Sequence, residues 1–327
     1  MRLLDGTAVR ALLDPDALVE AVATALVDLS TGRACVPPRV AAQVGEIGLL
    51  AAMPAYSQTL DVVAAKLLTV YPGNAAVDRP THQAVIAVFA PEDGTLRALM
   101  DGDQVTADRT AAASALSVRA LARPDARVLA VLGTGPQAQA HARYVARVQP
   151  FEEIRIGGRD PHKVAALVDD LAGHGLAARG CAIDEALRDA DVVCAATSTL
   201  RPLVGVDGLP DGAHVVSVGY VPEGREVDAA LLTRAQLVVE HRATTLAPFP
   251  VGSNDLAELV ERGKIHPDVV VELGEVLCGL RPGRAWEDQP TVYKSVGVGV
   301  LDAAAAAVVL AAAERKGVGH EPAPEGP

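Results

Sequence analysis

Val128-Leu129-Ala130-Val131-Leu132-Gly133-Thr134-Gly135-Pro136-Gln137-Ala138 is the stretch that decides the fold. Five apolar residues in succession read as a buried strand, and the Gly-x-Gly-x-x-Ala that follows reads as its turn into a helix. Each small residue has its own task. Gly133 permits the sharp turn, Gly135 leaves room for a pyrophosphate to approach the backbone, and Ala138 lets the helix pack closely on the sheet. Thr134, Pro136 and Gln137 complete the loop, and the free amides at the helix start face the phosphates. A glycine pattern alone is weak evidence. Here the strand before it and the helix after it point to a dinucleotide site, with a merely structural turn as the alternative.

Moving toward the C-terminus, strand-like runs at 127–132, 153–156, 191–195, 214–218 and 237–239 alternate with helical stretches at 136–148, 161–171 and 183–188. That alternation predicts an α/β chain with a Rossmann-type parallel sheet. The second strand ends at Gly157-Gly158-Arg159-Asp160, where an NAD site usually places an acid for the adenosine ribose. A guanidinium at Arg159 suits the extra phosphate of NADP instead, so NADPH is favoured over NADH; an exposed loop arginine is the plain alternative. Thr197, after Cys194-Ala195-Ala196, and Val218-Gly219 end the later strands, where a dinucleotide crosses a parallel sheet. Either can equally be an ordinary turn.

The N-terminal half has a different pattern. Asp14-Pro15 followed by Leu18, Val19, Val22, Ala25 and Leu26 predicts a capped amphipathic helix that stops at Gly32. Strand-like runs at 47–53, 62–70, 84–89 and 96–100, the last two joined by a turn at Pro91-Glu92-Asp93-Gly94, predict an antiparallel or mixed sheet. A small-residue helix over 106–122 leads into the second domain. Later helices at 256–262 and 302–315 extend that domain or return to the first, and the Gly-, Pro- and Glu-containing tail at 317–327 is expected to fray.

Composition narrows the classes of function. Half the residues are hydrophobic, enough for a large core, yet the richest apolar stretch, Ala303 to Ala313, is too short to span a bilayer and reads as a buried helix. No membrane role follows. A net charge of -12 and 3% aromatic residues argue against a nucleic-acid partner. Cys35, Cys181, Cys194 and Cys278 contain no C-x-x-C pair, and the eight histidines contain no H-x-x-x-H pair, so neither a disulfide framework nor a metal site is expected. Arg2, Asp5 and Arg10 interrupt the N-terminus, which argues against a secretory signal and leaves the cytoplasm as the expected compartment.

Three cations interrupt apolar segments ahead of the nucleotide domain: Arg39 after Pro37-Pro38, Lys66 within 62–70, and Arg109 in the small-residue helix. A cation in such a place must snorkel, pair with an acid or face a ligand. Their coincidence suits a substrate carboxylate, Arg gripping both oxygens and Lys adding a compact charge. Surface or structural pairing remains the alternative for each.

Further segments carry a family resemblance. They are Met53-Pro54-Ala55-Tyr56, Lys66 to Asn74, Pro80-Thr81-His82-Gln83, Thr106 to Ala113, Gly133 to Ala138, Glu272 to Val276 with Gly279, and Lys294-Ser295-Val296-Gly297. In this order, over nearly the whole chain, they resemble the ornithine cyclodeaminase and mu-crystallin family. The resemblance implies an α+β substrate-binding and dimerisation domain over 1–112, a nucleotide-binding domain over 113–298, a helix over 299–316 returning to the first domain, and a flexible tail over 317–327. It places Arg39, Lys66 and Arg109 on positions that hold a substrate carboxylate near the nicotinamide, Lys66 and Arg109 being its catalytic candidates. It gives Thr81 a positioning role and implies a homodimer.

The resemblance has one gap. Cyclodeaminases carry an aspartate soon after the Val-Gly strand end. Here Tyr220 or Val221 stands in its place, within Val218-Gly219-Tyr220-Val221-Pro222-Glu223-Gly224-Arg225-Glu226, and Glu226 aligns with the family's terminal Glu. Cyclodeamination needs an acid to orient a second amine and manage its proton, whereas imine reduction needs mainly positioning of an electrophilic C=N. The expectation is therefore NAD(P)H-dependent reduction of an α-imino carboxylate, a cyclic ketimine, to the amino acid. The alternatives are an alanine-type dehydrogenase, an ornithine cyclodeaminase and a nonenzymatic NADP-binding protein.

Overall fold

The computed structural model describes residues 1–221, 224–248 and 251–320. The chain divides into two compact units, Met1–Arg109 with Val298–Pro327, and Thr110–Gly297. From residue 321 onward the expected frayed tail lies outside the described residues, as do Pro222 and Glu223 of the segment that departs from the family pattern.

The first unit opens with β1 (Arg2–Leu4), α1 (Gly6–Leu12) and α2 (Pro15–Ser30). Asp14 caps α2 by accepting from the Ala17 amide at 2.8 Å, Pro15 starts it, and Leu18, Val22, Ala25 and Leu26 are buried along one face. Then come β2 (Ala34–Cys35), β3 (Val40–Val44), β4 (Gly48–Ser57), β5 (Val62–Val70), β6 (His82–Phe89), β7 (Leu96–Asp101) and α3 (Asp103–Leu121), within which the unit boundary falls. The sheet order is β1-β7-β6-β5-β4-β2, with β3 also on β4. Among the described residues only β1 and β7 pair in parallel, so the sheet is mixed. Along β5 the two-residue period of a strand buries Val62, Ala64, Lys66 and Leu68 on one face while Leu67 is exposed on the other. That period puts a lysine into the covered face.

In the second unit the chain runs through β8 (Val128–Leu132), α4 (Pro136–Val148), β9 (Glu153–Gly157), α5 (Pro161–Gly173), β10 (Arg179–Cys181), α6 (Ile183–Leu187) and β11 (Val192–Ala195). It continues through β12 (His214–Ser217), α7 (Ala229–Arg234), β13 (Gln236–Val239), α8 (Arg242–Thr245), α9 (Asn254–Glu261), β14 (Val271–Glu272), α10 (Leu273–Leu277) and β15 (Thr291–Lys294). Every strand pair is parallel, in the order β10-β9-β8-β11-β12-β15-β13-β14. Ala130, Leu132, Val193, Ala195, Val215 and Val292 from the central strands form its core. The chain leaves β8 toward β9 and β10, then crosses back to β11 on the other side. This reversal creates a topological switch point at the carboxyl ends of β8 and β11, where open α/β sheets bind ligands.

α11 (Gly299–Lys316) belongs to the first unit, packs on α2, β4 and β5, and ends at Gly317 with φ +64°. Its first turn lies close on β4, since a Cβ at Gly299 would stand 3.1 Å from the carbonyl oxygens of Met53 and Pro54. Among the described residues no helix is long and apolar enough to cross a membrane.

Candidate active site

In the first unit Met53 of β4 is the register partner of Lys66 on β5, so the close seat of Gly299 on β4 brings the first turn of α11 over Lys66. Asp302 occupies that turn. Its Oδ1 accepts from Lys66 Nζ at 2.9 Å and from Arg109 Nε at 3.1 Å. Arg109 comes from α3, one turn beyond Thr106, whose hydroxyl oxygen accepts from Lys66 Nζ at 3.3 Å. The side chains of Lys66, Asp302 and Arg109 are 1%, 1% and 5% exposed. Two cations thus share one carboxylate oxygen, while Arg109 Nη1 and Asp302 Oδ2 are buried without a hydrogen-bond partner among the described residues. A guanidinium nitrogen left so is costly unless an acceptor comes to it.

The electrostatics follow from that crowding. Burial depresses the Lys66 ammonium, the Asp302 carboxylate pulls it back up, and Arg109 pushes it down again, leaving it at about 8. Burial raises Asp302, but the charges of Arg109 and Lys66 outweigh that and hold it below the usual carboxylate value. His82, at the start of β6, bonds Asp103 of α3 at 3.1 Å. Burial and the charge of Lys66 lower its pKa despite that bond.

Arg39 lies half-buried between β2 and β3, and its charge reaches Lys66, lowering the ammonium further. Thr81 is exposed just before β6, and its carbonyl accepts from the Tyr71 amide at 2.8 Å. The structure therefore joins Lys66 and Arg109 directly through Asp302 and adds Arg39 through its field, while among the described residues the exposed Thr81 side chain makes no hydrogen bond to that cluster.

In the second unit the glycine loop lies at the switch point. Gly133 has φ +118°, a conformation only glycine adopts readily, and a Cβ there would stand 2.4 Å from the Ala196 carbonyl oxygen. A Cβ on Gly135 would meet nothing within 4 Å. Gly135 caps α4 without a side chain, Pro136 takes the first helical position, and Ala138 is fully buried against the sheet. Open space beside uncapped amides fits a pyrophosphate. Thr134 and Gln137 are half-buried within the loop. Arg159 is exposed just after β9, next to an open cavity of about 610 Å3 lined also by Gly158, Val164, Val168, Cys181 and Ala182. Asp160 is committed elsewhere, capping α5 by accepting from the His162 amide at 2.9 Å.

The ends of β11, β12 and β15 are tied together by buried charges. Glu226 Oε1 accepts from the Thr197 amide at 2.7 Å and the Thr197 hydroxyl at 2.8 Å. Its Oε2 accepts from the Ser217 hydroxyl at 2.8 Å and the Gly219 amide at 2.6 Å. Lys294 Nζ donates to the Gly219 carbonyl at 2.7 Å and to Ser217 Oγ at 3.0 Å, and pairs with Asp255 at 2.9 Å. Glu240 likewise holds the turn after β15, accepting from Ser295 Oγ at 2.8 Å and the Gly297 amide at 2.8 Å.

Sequence reasoning did not single out Asp302, Lys294 or Glu240 as site residues. Asp302 had a usable signal, since it is the one charge at the head of an alanine-rich helix that is otherwise apolar up to Glu314. Lys294 ends the short strand β15 and Glu240 directly follows the short strand β13, where a charge resembles an ordinary strand end.

A sequence profile of the ornithine cyclodeaminase/mu-crystallin family matches residues 2–317. The ketimine reductase mu-crystallin of Mus musculus is 34% identical over 264 residues, 80% of each chain. The iminosuccinate reductase of Paracoccus denitrificans is 30% identical over 312 residues, 95% of this chain and 96% of that one. The solved Delta(1)-pyrroline-2-carboxylate reductase of Thermococcus litoralis, in complex with NADH and L-proline, aligns with a TM-score of 0.91 at 28% identity, covering 98% of this chain and 100% of that one.

Proposed function

This chain belongs to the ornithine cyclodeaminase/mu-crystallin family and is an NAD(P)-dependent oxidoreductase, and we propose that it reduces an α-imino carboxylate to the amino acid. The substrate class is a cyclic ketimine such as pyrroline-2-carboxylate or piperideine-2-carboxylate. The observation that carries this reading is the pair Lys66 and Arg109, two buried cations against the single carboxylate of Asp302, with Arg109 Nη1 left without an acceptor. A substrate carboxylate would neutralise the surplus charge and take that nitrogen. Names of relatives point the same way, to reductases of ketimine and imino acids.

The dinucleotide, when bound, supplies the hydride. Gly133, Thr134, Gly135, Pro136, Gln137 and Ala138 would hold its pyrophosphate, and Thr197, Val218 and Gly219 line the strand ends beyond. Arg109 and Lys66 bind the carboxylate, Arg39 adds to the positive field, and Thr81 positions the ring. Asp302 holds Lys66 and Arg109 in place, so little reorganisation is needed when the anion arrives. Lys66 Nζ, with a pKa of about 8, is the group best placed to hold or release a proton near neutral pH. By the family resemblance Tyr220 or Val221 takes the place of the cyclodeaminase acid, which favours imine reduction over cyclodeamination.

Exposed Arg159 supports NADPH over NADH, since Asp160 is spent on the cap of α5 and offers no free carboxylate for a ribose. For the homodimer, the outer face of β4, β5 and β6 is the proposed contact, because Leu50, Leu67 and Val85 are exposed there. Oxidation of NADPH and NADH in the presence of pyrroline-2-carboxylate and piperideine-2-carboxylate tests the reading. Turnover of either supports it, and inactivity with all four combinations overturns it. Ammonia-dependent NADH oxidation with pyruvate would instead identify an alanine-type dehydrogenase, and release of ammonia and proline from ornithine a cyclodeaminase.

A further inference from the structure

We propose that Glu226 and Lys294 are positioning residues, which clamp the two peptide groups around Gly219 and so set the backbone on which the nicotinamide ring rests. The inference rests on the reading of Val218 and Gly219 as cofactor-binding residues. Its basis is a pair of opposite charges on one glycine: the Gly219 amide donates to Glu226 at 2.6 Å, and the Gly219 carbonyl accepts from Lys294 at 2.7 Å.

These two groups belong to consecutive peptides. A trans peptide is planar, with N–H and C=O pointing in opposite directions. Directing the Gly219 amide at Glu226 therefore turns the Val218 carbonyl the other way, and that carbonyl accepts no hydrogen bond from a described residue. It is left as an acceptor that a carboxamide could use.

Neither charge has freedom to move. The four hydrogen bonds accepted by Glu226 fill both carboxylate oxygens, two from Thr197 and two from Ser217 and Gly219. An ammonium has three donors, and those of Lys294 go to Gly219, Ser217 and Asp255. The Ser217 hydroxyl lies between them, donating to the glutamate and accepting from the lysine. The packing is close enough that a Cβ on Gly219 would stand 2.3 Å from Glu226 Cδ. Three adjacent strand ends, those of β11, β12 and β15, are thereby held in one register at the edge where a parallel sheet binds its cofactor. A buried ion pair adds little stability over well-packed apolar residues, so stability alone does not account for two charges here.

The test compares binding of NADPH and NADH with binding of the same molecules lacking nicotinamide, 2′-phospho-ADP-ribose and ADP-ribose, by calorimetry on wild type, Lys294→Met, Glu226→Gln and Ser217→Ala. In Glu226→Gln an amide nitrogen replaces one acceptor oxygen and breaks two of the four bonds. The expected result is fragment affinity within about twofold of wild type, with whole-dinucleotide affinity reduced about tenfold in the two charge variants and about threefold in Ser217→Ala. Equal losses for fragment and dinucleotide, no loss in either, or a wild type that binds both equally would overturn the proposal. If the charge variants do not fold, Ser217→Ala decides. A structure of the wild type with NADPH separates the two possible failures. A nicotinamide away from Val218 and Gly219 defeats the underlying reading, whereas one in contact with them and unmoved affinity ratios defeats only the positioning role.

Discussion

Asp302 and Lys66 are 236 residues apart in the chain, yet meet at 2.9 Å with side chains that are each 1% exposed. The same carboxylate oxygen also accepts from Arg109. One acid is thus set against two cations inside the first unit.

Removing the acid alone should be severe. Asp302→Asn leaves Lys66 and Arg109 buried together without a counter-charge, and about 3–5 kcal/mol of stability should be lost by analogy with other broken buried pairs. Urea unfolding at pH 7 checks this, with a loss under about 1 kcal/mol as the contrary result. Lys66→Met should cost less, since it also relieves the repulsion between the two cations.

Activity should fall in mild alkali. Lys66 titrates at about 8 in the free protein, so below that pH the carboxylate meets two charged groups and above it only Arg109 and the field of Arg39. The kcat/KM for an α-imino carboxylate, which reports the free enzyme, should decline above pH 8. Lys66→Arg remains charged and should abolish the decline, at a lower overall rate because its planar fork replaces a compact ammonium.

Acid should destabilise the second unit through two buried histidines. His141, bonded to the Gln137 carbonyl at 2.7 Å and to Ser114 at 2.8 Å, is pushed by burial down to about 4; His214, bonded to Thr291 at 2.8 Å, is pushed by burial down to about 3. An unfolded histidine titrates near about 6.5, so both contributions are fully present above that pH. As pH falls below it the unfolded chain takes up protons that the folded chain refuses. Stability should drop by up to about 1.4 kcal/mol per pH unit for each histidine until the folded values are reached. Urea midpoints between pH 7 and pH 4.5 would show this, and His141→Gln should shallow the slope.

Arg159→Ala should raise KM for NADPH about tenfold and leave KM for NADH nearly unchanged, since a charge-assisted contact to a phosphate is lost only with the former. Equal effects on both would assign Arg159 to the loop alone.

Much of the fold was legible because local signals agreed with tertiary demands. The run from Val128 to Ala138 carries its strand, turn and helix in sequence, and Asp14-Pro15 announces α2 through capping chemistry that needs no distant partner. Other elements lacked such signals. β1 is three residues long, opens with Arg2 and buries only Leu4, too short a run to show alternation, and β3 is exposed at every position and shows no buried face. β15 lies between β12 and β13 in the sheet, but its four residues end on a lysine that only the tertiary fold neutralises. The candidate site divides in the same way. Lys66 and Arg109 stood out as cations among apolar neighbours, whereas the need for Asp302 appears only when α11 is laid over β5.

The central claim is that Lys66 and Arg109 grip a carboxylate carried by the imine. The most direct measurement is the ratio of kcat/KM for pyrroline-2-carboxylate to that for 1-pyrroline, the same ring without the carboxylate, at saturating NADPH. A ratio of about 100 or more is predicted from the loss of two charge-assisted contacts. Equal turnover of the two rings, or of piperideine-2-carboxylate and 1-piperideine where the six-membered ring is the substrate, would contradict it.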